Sequence, residues 1–403
     1  MASREARDIL KSATDVKLIA HYFPQLHRIP ENDLWWGDGF TDWTNVRRAA
    51  PLYAGHQQPR VPRDGHYDQA QLATVQRQVE QARTHGIAAF CHYHYWFDGK
   101  QLLETPTNLF LDHPELDLGI CLAWANETWS RRWDGQDHLV LIEQRHPPER
   151  VRWSLHFDYL QRAFVDRRAV TIGGRPLFVI YRPQRIPGLR GMLDYFCERA
   201  HALGLPGLYL VAMDQSRPGD DDPAVWKLFD AQVRFEPFAT YYRVRDRERP
   251  TLRKLVRTVR GVLPARGVNL AQRVLDRVDD VLGGPTRIDY ARIWQEIVDR
   301  PFPTDRTVFP GAFVDWDNTA RYGRHATIFT GATPALFEAG ITALADRLAA
   351  RAPEEQLLFV NAWNEWAEGC YLEPDGLNGD EYLKALRRVV DRSLAATGRV
   401  SRG

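Results

Sequence analysis

Short hydrophobic segments rich in Val, Ile, Phe and Tyr recur along the chain, often followed by stretches in which apolar residues have helical spacing. Nearly continuous apolar character is typical of parallel strands that are buried on both faces. The eight segments are "KLIAHYF" (17–23), "IAAFCHYHYWF" (87–97), "LGICLAW" (118–124), "PLFVIY" (176–181), "LYLVAM" (208–213), "AQVRFEP" (231–237), "GAFVDW" (311–316) and "LLFVNAW" (357–363). Because eight strands in this alternation make a (β/α)8 barrel, the sequence predicts an α/β chain with a TIM-like barrel over residues 17–397 and long βα loops.

Helical spacing is clearest in three segments, residues 67–86, 333–351 and 379–397. The first ends at Gly86, and glycine is the residue type that most often terminates a helix. A doubly wound sheet would also alternate strands with helices. However, no glycine-rich phosphate turn such as GxGxxG follows any predicted strand, so we favour the barrel.

A basic segment departs from this alternation. Residues 243–266 carry nine basic residues against two acidic ones, and helical spacing continues to about residue 298. We interpret residues 243–298 as an insertion after the sixth strand. Its charge fits either a solvated surface or a basic amphipathic helix that meets an anionic polysaccharide, a lipid headgroup or a partner protein. Residues 1–16 are predicted to be an N-terminal extension and residues 398–403 a disordered tail.

The overall composition is that of a globular protein, and the net charge of +1 gives no reason to expect nucleic acid as a partner. Tryptophan is unusually frequent, with 13 residues against 3 methionines. Many of these rings stand beside Asp, Asn or His. Such neighbours suit carbohydrate, since a flat ring stacks on a sugar while polar side chains bond its hydroxyls.

The four cysteines are far apart and form no CxxC pair, so we expect reduced thiols rather than zinc ligands. The first twenty residues contain no apolar segment typical of a secretory signal, and no apolar run approaches the length of a membrane-spanning helix. These features predict a cytoplasmic protein, peripheral at the inner membrane if the basic insertion binds lipid. No metal or organic cofactor is expected.

Polar and aromatic residues follow the predicted strands, where a barrel carries its chemistry. Candidate substrate-binding residues are His21, Trp35, Trp36, Asp42, Trp43, His92, His94, Trp96, Trp124, Asn126, Trp129, Arg132, Trp133, Asp134, Tyr181, Glu236, Asp315, Asp317, Asn364 and Trp366. Because the carboxyl ends of all strands converge on one mouth, we expect these side chains to share a pocket with oligo- or polysaccharide as the substrate.

Three glutamates are the candidate catalytic residues. Glu365 and Glu368 lie three residues apart in "NEWAEG", directly after the last strand, so both carboxylates can face one pocket. Paired carboxylates suit glycosidic bond chemistry, and nearby tryptophan rings would raise the pKa of one of them. The alternative is a salt-bridged pair at the barrel rim. Glu127, in an isolated Asn-Glu pair after the third strand, is the third candidate.

Two further patterns leave alternatives open. His92 and His94 point to the same side of a strand, which could suit a metal, but hydrogen bonding to sugar hydroxyls or packing is favoured. "WWGDGFTDWTNV" (35–46) holds three tryptophans in the loop after the first strand. This loop either forms part of the sugar-binding surface or plugs the barrel mouth. No GxSxG motif supports serine hydrolase chemistry.

Four long motifs carry a resemblance to a known family. "PENDLWWGDGFTDWTNV", "HYHYWFDGKQLLE", "CLAWANETWSRRWDG" and "NAWNEWAEGCYLEPD" together resemble the WbsX-type proteins of bacterial polysaccharide gene clusters, labelled glycosyltransferases and related to glycoside hydrolase family 99. The likeness covers roughly residues 17 to 390. It implies a (β/α)8 barrel and a role in O-antigen, capsule or other surface glycan metabolism.

The more distant resemblance to the endo-α-mannosidases of family 99 implies roles for the paired acids. Glu365 would be the base that assists the 2-hydroxyl of the sugar through an epoxide-like intermediate, and Glu368 the general acid/base, with overall retention. This sequence has Ala367 where the mannosidases typically carry histidine, which puts mannose specificity in question.

Three functions remain open on the sequence. The first is a retaining glycoside hydrolase or transglycosidase acting on a surface polysaccharide. The second is a glycosyltransferase that uses an activated donor, for which Arg131, Arg132 and Arg182 could form a basic pocket for a diphosphate. The third is a non-catalytic glycan-binding protein. A lipid-linked glycan at the inner membrane would reconcile a cytoplasmic enzyme with a surface glycan.

Overall fold

The computed structural model describes residues 16–131, 136–217, 222–248 and 284–396. A barrel of parallel strands forms its centre, each strand pairing with its neighbours in chain order and the last with the first. The strands are β1 (Lys17–Tyr22), β2 (Ile87–Phe97), β3 (Gly119–Trp124), β4 (Arg175–Ile180), β5 (Tyr209–Asp214), β6 (Ala231–Arg234), β7 (Thr307–Phe309 and Gly311–Phe313) and β8 (Leu357–Asn361). All eight predicted segments contain a barrel strand, and the predicted (β/α)8 architecture is confirmed.

The barrel closes through β7, which is interrupted at Pro310. Its first segment pairs with β6 and its second with β8. Gly311 lies so close to β6 that a Cβ atom at this position would stand 2.0 Å from the carbonyl oxygen of Arg234. Only glycine therefore allows the backbones to approach at this point of the barrel.

Helices surround the barrel and fill the loops at its mouth. They are α1 (Pro30–Trp36), α2 (Asp42–Arg48), α3 (Leu72–Thr84), α4 (Thr105–Asp112), α5 (Arg150–Phe164), α6 (Leu189–Ala202), α7 (Pro223–Trp226), α8 (Phe238–Glu248), α9 (Tyr290–Asp299), α10 (Thr319–Tyr322), α11 (Pro334–Ala349) and α12 (Glu381–Ala396). The three helices predicted most clearly are confirmed as α3, α11 and α12. Gly86, with a φ of 86°, follows α3 in the left-handed conformation that favours glycine.

Short strand pairs and 3-10 turns complete the structure. The added strands are Lys100–Leu102, Trp129–Arg131, Gln136–Ile142, Thr171–Ile172, Thr286–Asp289, Thr327–Thr330, Asn364–Glu365 and Cys370–Tyr371, and the 3-10 turns are Pro183–Arg185, Gly323–His325, Pro353–Glu355 and Trp366–Glu368. The predicted basic insertion runs from α8 to α9, but its central residues 249–283 lie outside the described residues. The same holds for residues 1–15 of the predicted extension (1–16) and for the whole predicted tail (398–403). The insertion therefore stays a prediction.

Two layers of apolar side chains form the core. One fills the barrel interior, and the other lies between the strands and the helices. Successive residues of β2 alternate between them: Cys91 and Tyr93 face the interior, whereas Phe90 packs with the outer layer. Burying a side chain of this size contributes about 2–3 kcal/mol. Among the described helices, none combines the length and apolar character that crossing a membrane requires.

Candidate active site

The chain makes a tight hairpin directly after β8. Asn364–Glu365 pairs antiparallel with Cys370–Tyr371, and the 3-10 turn Trp366–Glu368 connects them. Because a 3-10 helix has three residues per turn, side chains three positions apart project on the same side. Gly369 ends the turn with a φ of 63°. The hairpin thereby brings Glu365 and Glu368 into the lining of one cavity.

This carboxylate cavity, defined by Glu365 and Glu368, has a volume of about 480 Å³ and lies at the carboxyl ends of the strands. Its walls combine aromatic rings with charged groups, the pattern of a small-molecule site. The aromatic residues in the lining are Phe23, Trp36, Tyr93, Tyr95, Trp129, Tyr181, Phe235, Phe238, Tyr242, Trp316 and Tyr322. The charged residues are Glu127, Arg217, Arg321, Glu365 and Glu368.

Arg321, on α10, holds three carboxylates at once. Its Nη1 donates to Glu368 Oε1 at 2.7 Å, and its Nη2 donates to Asp42 Oδ2 at 2.7 Å and to Glu365 Oε2 at 3.4 Å. Asp42 is fully buried, and Arg321 is only 8% exposed. One guanidinium group is therefore set against three carboxylates in a site with little access to water.

Burial, together with the shortage of positive charge, determines how the pair titrates. Burial raises the pKa of Glu365 well above the usual range of a glutamate, and the neighbouring Glu368 raises it further. Burial also raises the pKa of Glu368, while Arg321 opposes the rise. Two carboxyl groups in this environment hold a shared proton at a higher pH than exposed glutamates do, as an acid/base pair requires.

Glu127 lines the cavity from the loop after β3. Arg182 Nη1 donates to its Oε1 at 2.6 Å, and Arg217 Nη1 donates to the same atom at 3.5 Å. Asn126 fixes this corner because its side chain bonds both the backbone N–H and the carbonyl of Arg182. Glu127 is therefore oriented by arginines and separate from the group around Arg321.

The loop after β1 contributes one tryptophan to the cavity lining and buries another, and its predicted role in sugar binding stays a prediction. Trp36 lines the cavity, and the guanidinium of Arg131 lies 5.1 Å from its ring centre. Trp35 contacts the ring of Trp129 edge-on at 5.9 Å. In contrast, Trp43 is buried and packs on Trp366 at 5.6 Å, beneath the mouth.

Four aromatic candidates of β2 and β3 lie on the outer side of the barrel wall. His92 hydrogen-bonds Thr107, and His94 Nε2 lies 2.8 Å from Nε2 of His156. Trp96 and Trp124 pack on the ring of His156. Burial lowers the pKa of His92 and of His94 to about 3, so both are neutral.

The alternation along β2 explains this outcome. His92 and His94 do point to the same side, as predicted, but that side faces the helices, and Tyr93 and Tyr95 face the cavity instead. His21, in β1, is also buried, in the barrel interior, where its ring stacks on Tyr93 at 5.4 Å. Within the described residues, no group of three or more His, Cys, Asp or Glu side chains is placed to hold a metal ion.

Three acidic candidates, Glu236, Asp315 and Asp317, bind neighbouring residues of the protein and do not line the cavity. Glu236 accepts hydrogen bonds of 2.9 Å from the N–H and the hydroxyl of Thr240. Asp315 binds Arg60 at 2.8 Å, and Asp317 accepts from His56 and Gln58. The described lining of the cavity includes none of these three acids.

The hairpin itself is held by its neighbours. Asn364 bonds both the N–H and the carbonyl of Phe23, and Trp366 Nε1 donates to Glu373 at 2.7 Å.

Of the predicted residues, the cavity brings together Glu127, Glu365, Glu368, Trp36, Trp129 and Tyr181. Arg132, Trp133 and Asp134 lie outside the described residues.

The sequence reasoning missed Arg321, Tyr93, Tyr95 and Arg217. The only sequence signal for Arg321 is its position three residues after the "DWDN" (315–318) that follows β7. Two of the arginines proposed for a diphosphate contact side chains of the carboxylate cavity lining, since Arg182 binds Glu127 and Arg131 stacks on Trp36. The third, Arg132, lies outside the described residues, so a diphosphate pocket formed by these three arginines stays a prediction.

The chain is similar to known proteins over most of its length. Residues 18–386 match the family described as "Glycosyltransferase WbsX", which confirms the resemblance carried by the four motifs. A protein named WxcX from Xanthomonas campestris pv. campestris (strain ATCC 33913) is 36% identical over 382 residues, which cover 93% of this chain and 50% of that protein. WxcX of strain B100 is 35% identical with the same coverage. The chain thus spans about half the length of the curated relatives it matches.

Solved structures with a similar fold include the GH99 endo-alpha-mannosidase from Bacteroides thetaiotaomicron in complex with BIS-TRIS-Propane. It has a TM-score of 0.54 and 11% identity, covering 96% of this chain and all of that one. A glycoside hydrolase-like protein has a TM-score of 0.52 and 14% identity, covering 94% of each chain. At these identities the likeness shows the barrel fold alone.

Proposed function

The chain belongs to the WbsX glycosyltransferase family, and we propose that it is a carbohydrate-active enzyme that cleaves or transfers glycosidic bonds of a surface polysaccharide, with Glu365 and Glu368 as its paired catalytic acids. The observation that carries this proposal is the Arg321 group. A buried carboxylate pair that shares one arginine with Asp42 lines a cavity with aromatic walls. A salt bridge at the rim would need neither the burial nor the raised pKa.

The two glutamates differ in depth and in their contact with Arg321. The side chain of Glu368 is 19% exposed and that of Glu365 only 9%. Arg321 is 2.7 Å from Glu368 but 3.4 Å from Glu365, which favours the ionised form of Glu368 and leaves the shared proton on Glu365 before substrate binds. Transfer of this proton to Glu368 as the sugar enters would produce the arrangement that the family 99 resemblance implies.

The reaction then proceeds in two steps. Glu368 gives its proton to the glycosidic oxygen as the bond from that oxygen to C1 breaks. Glu365 removes the proton of the 2-hydroxyl, whose oxygen bonds C1 to form the epoxide-like intermediate. Water or an acceptor hydroxyl next attacks C1 and gives its proton to Glu368, while Glu365 returns its proton to the 2-oxygen. Two displacements at C1 retain the configuration.

The aromatic walls supply substrate binding. Trp36 and Trp129 offer flat faces for sugar rings, and Tyr93, Tyr95 and Tyr181 offer hydroxyl groups for hydrogen bonds. Burial raises the pKa of Tyr95, and the neighbouring Glu365 raises it further, so this hydroxyl stays neutral and can donate. The substrate we propose is an oligo- or polysaccharide. Binding to a lipid-linked glycan or a membrane through the basic insertion remains a prediction, as does a cytoplasmic location.

A glycosyltransferase that uses an activated donor is the second candidate, and the description of the family favours it. The two reactions differ in what leaves C1 and in what attacks it. Wild type and Glu368→Gln would be incubated with the released and the lipid-linked glycan of the source organism, with and without nucleotide sugars, and products followed by mass spectrometry. Cleavage without any donor that is lost in Glu368→Gln supports the hydrolase. Chain growth only with a nucleotide sugar identifies a transferase instead.

A further inference from the structure

A second cavity, which we call the arginine cavity, lies beside the carboxylate cavity near the ends of β5 and β6, against α8 and α9. Its volume is about 540 Å³. The described charged residues of its lining are six arginines and two carboxylates: Arg217, Arg234, Arg243, Arg247, Arg300, Arg306, Asp214 and Glu296. Tyr181 and Arg217 line both cavities, so the two are neighbours with a shared wall.

The two carboxylates of the lining do not balance its six arginines. Arg247 pairs with Glu296, and Arg300 pairs with Asp214 at 3.3 Å. Two acids outside the lining also contribute, since Arg217 lies 3.5 Å from Glu127 and Arg306 lies 3.3 Å from Asp305. The buried Glu236 is 4.0 Å from Arg300. Among the described residues, Arg243 forms no ion pair with a carboxylate. The lining therefore carries an excess of positive charge that the nearby acids only partly offset.

Arg234 shows the consequence of this excess. It is only 6% exposed, its Nη2 donates to the carbonyl of Pro301 at 2.8 Å, and its Nε has no hydrogen-bond partner among the described residues. The buried Nη1 of Arg300 likewise has none there. Burial and the neighbouring Arg300 lower the pKa of Arg234 to about 9. Buried donors without acceptors are costly, and an anion would satisfy them.

We propose that the arginine cavity binds a diphosphate attached to the glycosyl substrate, with the sugar reaching past Tyr181 and Arg217 into the carboxylate cavity. Planar guanidinium groups match phosphate oxygens in pairs, and several arginines suit a group with more than one negative charge. A single carboxylate of an acidic sugar would carry only one negative charge and would therefore neutralise less of this positive charge. This inference rests on the proposed function, because it names the chemical class of the substrate at the same site.

The diphosphate could come from two sources, a lipid carrier or a nucleotide. The probes are therefore inorganic pyrophosphate, farnesyl diphosphate and uridine diphosphate, with glucuronate as the carboxylate comparison. Binding would be measured by titration calorimetry on wild type, Arg243→Gln, Arg300→Gln and the control Arg292→Gln, an exposed arginine of α9 outside the cavity lining. Thermal unfolding without ligand would show that each variant is folded.

We expect pyrophosphate to bind the wild type and to bind about tenfold or more weakly to Arg243→Gln and Arg300→Gln, as the loss of a charged hydrogen bond predicts. Arg292→Gln should bind like the wild type. Tighter binding of farnesyl diphosphate or of uridine diphosphate would support the site and identify the carrier. Absence of pyrophosphate binding, equal binding to all four proteins, or glucuronate binding as tight as pyrophosphate binding would overturn the proposal.

The same titration on Glu368→Gln separates this inference from the proposed function. That variant lacks the acid/base group but keeps every arginine of the cavity. Pyrophosphate binding to it and to the wild type, without processing of any glycan by the wild type, would leave the anion site standing and remove the proposed reaction. Glycan processing without any pyrophosphate binding would support the proposed reaction and overturn the diphosphate site.

Discussion

Arg321 Nη1 donates a 2.7 Å hydrogen bond to Oε1 of Glu368, and this contact joins the turn after β7 to the hairpin after β8. The same guanidinium reaches Asp42, which comes from the loop after β1. Three separate parts of the chain therefore meet at one buried cation.

The first prediction concerns the roles of the paired acids. Glu368→Gln and Glu365→Gln should each lower turnover of the natural glycan by about 10²–10⁴-fold, the usual contribution of a general acid or base. Only Glu368→Gln should recover activity on a glycoside with a dinitrophenol leaving group, because that group leaves without a proton. Steady-state kinetics on both substrates would measure this, with the exposed Glu354→Gln as the control. Recovery in Glu365→Gln instead would exchange the two roles.

The second prediction concerns Arg321. Arg321→Gln should lose about 3–5 kcal/mol of stability at pH 7, because buried carboxylates are left without their cation. The loss should shrink near pH 4, because the raised pKa values of Glu365 and Glu368 favour their protonated, neutral forms there. Urea unfolding at the two pH values would measure it, and Arg321→Lys, which keeps the charge, should lose less at pH 7. An equal loss at both pH values would show that packing, not charge, accounts for the effect.

The third prediction is a pH-dependent gain in stability in Glu365→Gln. The pKa of Glu365 is raised in the folded protein, so its favourable contribution is present below the unfolded pKa and is lost as pH rises through the folded pKa. A neutral glutamine avoids this loss. We expect the variant to be more stable than the wild type by about 0.5–2 kcal/mol at pH 8, with no gain at pH 4. Melting curves of both proteins between pH 4 and pH 8 would measure this difference. A gain in stability that is the same at every pH would contradict the explanation.

The fourth prediction separates the two tryptophans of the loop after β1. Trp36 lines the cavity and is half-buried, whereas Trp43 is 3% exposed and packs on Trp366. Trp36→Ala should raise KM for the glycan about tenfold, by the loss of a stacking face, with little change in unfolding. Trp43→Ala should lose about 3–5 kcal/mol of stability through the cavity it leaves. Kinetics and denaturant unfolding would be measured on both variants. Trp36→Ala should change mainly KM, and Trp43→Ala should change mainly the free energy of unfolding.

The fifth prediction tests the closure of the barrel. Gly311→Ala would place a Cβ atom 2.0 Å from the Arg234 carbonyl oxygen, so the strands must move apart. We expect a loss of about 1–3 kcal/mol or more, as for other overpacked sites. Gly284→Ala, where a Cβ atom would meet nothing within 4 Å, is the matched control. Similar unfolding of both variants in urea would contradict the close approach of β6 and β7.

Much of the architecture could be predicted from the sequence. The strands are buried on both faces, so their apolar segments are nearly continuous and stand out from the helical spacing around them. The position of Glu365 and Glu368 in the cavity was also predictable, because a spacing of three directly after a strand is a local property of the chain. Glu127 and Trp129 were found in the same way, from their places after β3, and Trp36 was found from the tryptophan-rich loop after β1.

The tertiary structure alone decided which face of each strand meets the cavity. His92 and Tyr93 are adjacent in a segment that is apolar or aromatic on both sides, so no pattern distinguished the inward from the outward residue. It also decided that Arg321 reaches Asp42, 279 residues away in sequence, and that α8 and α9 bring their charged residues to one cavity with those of β6. Backbone periodicity is a local property, whereas charge pairing depends on which distant segments the closed barrel brings together.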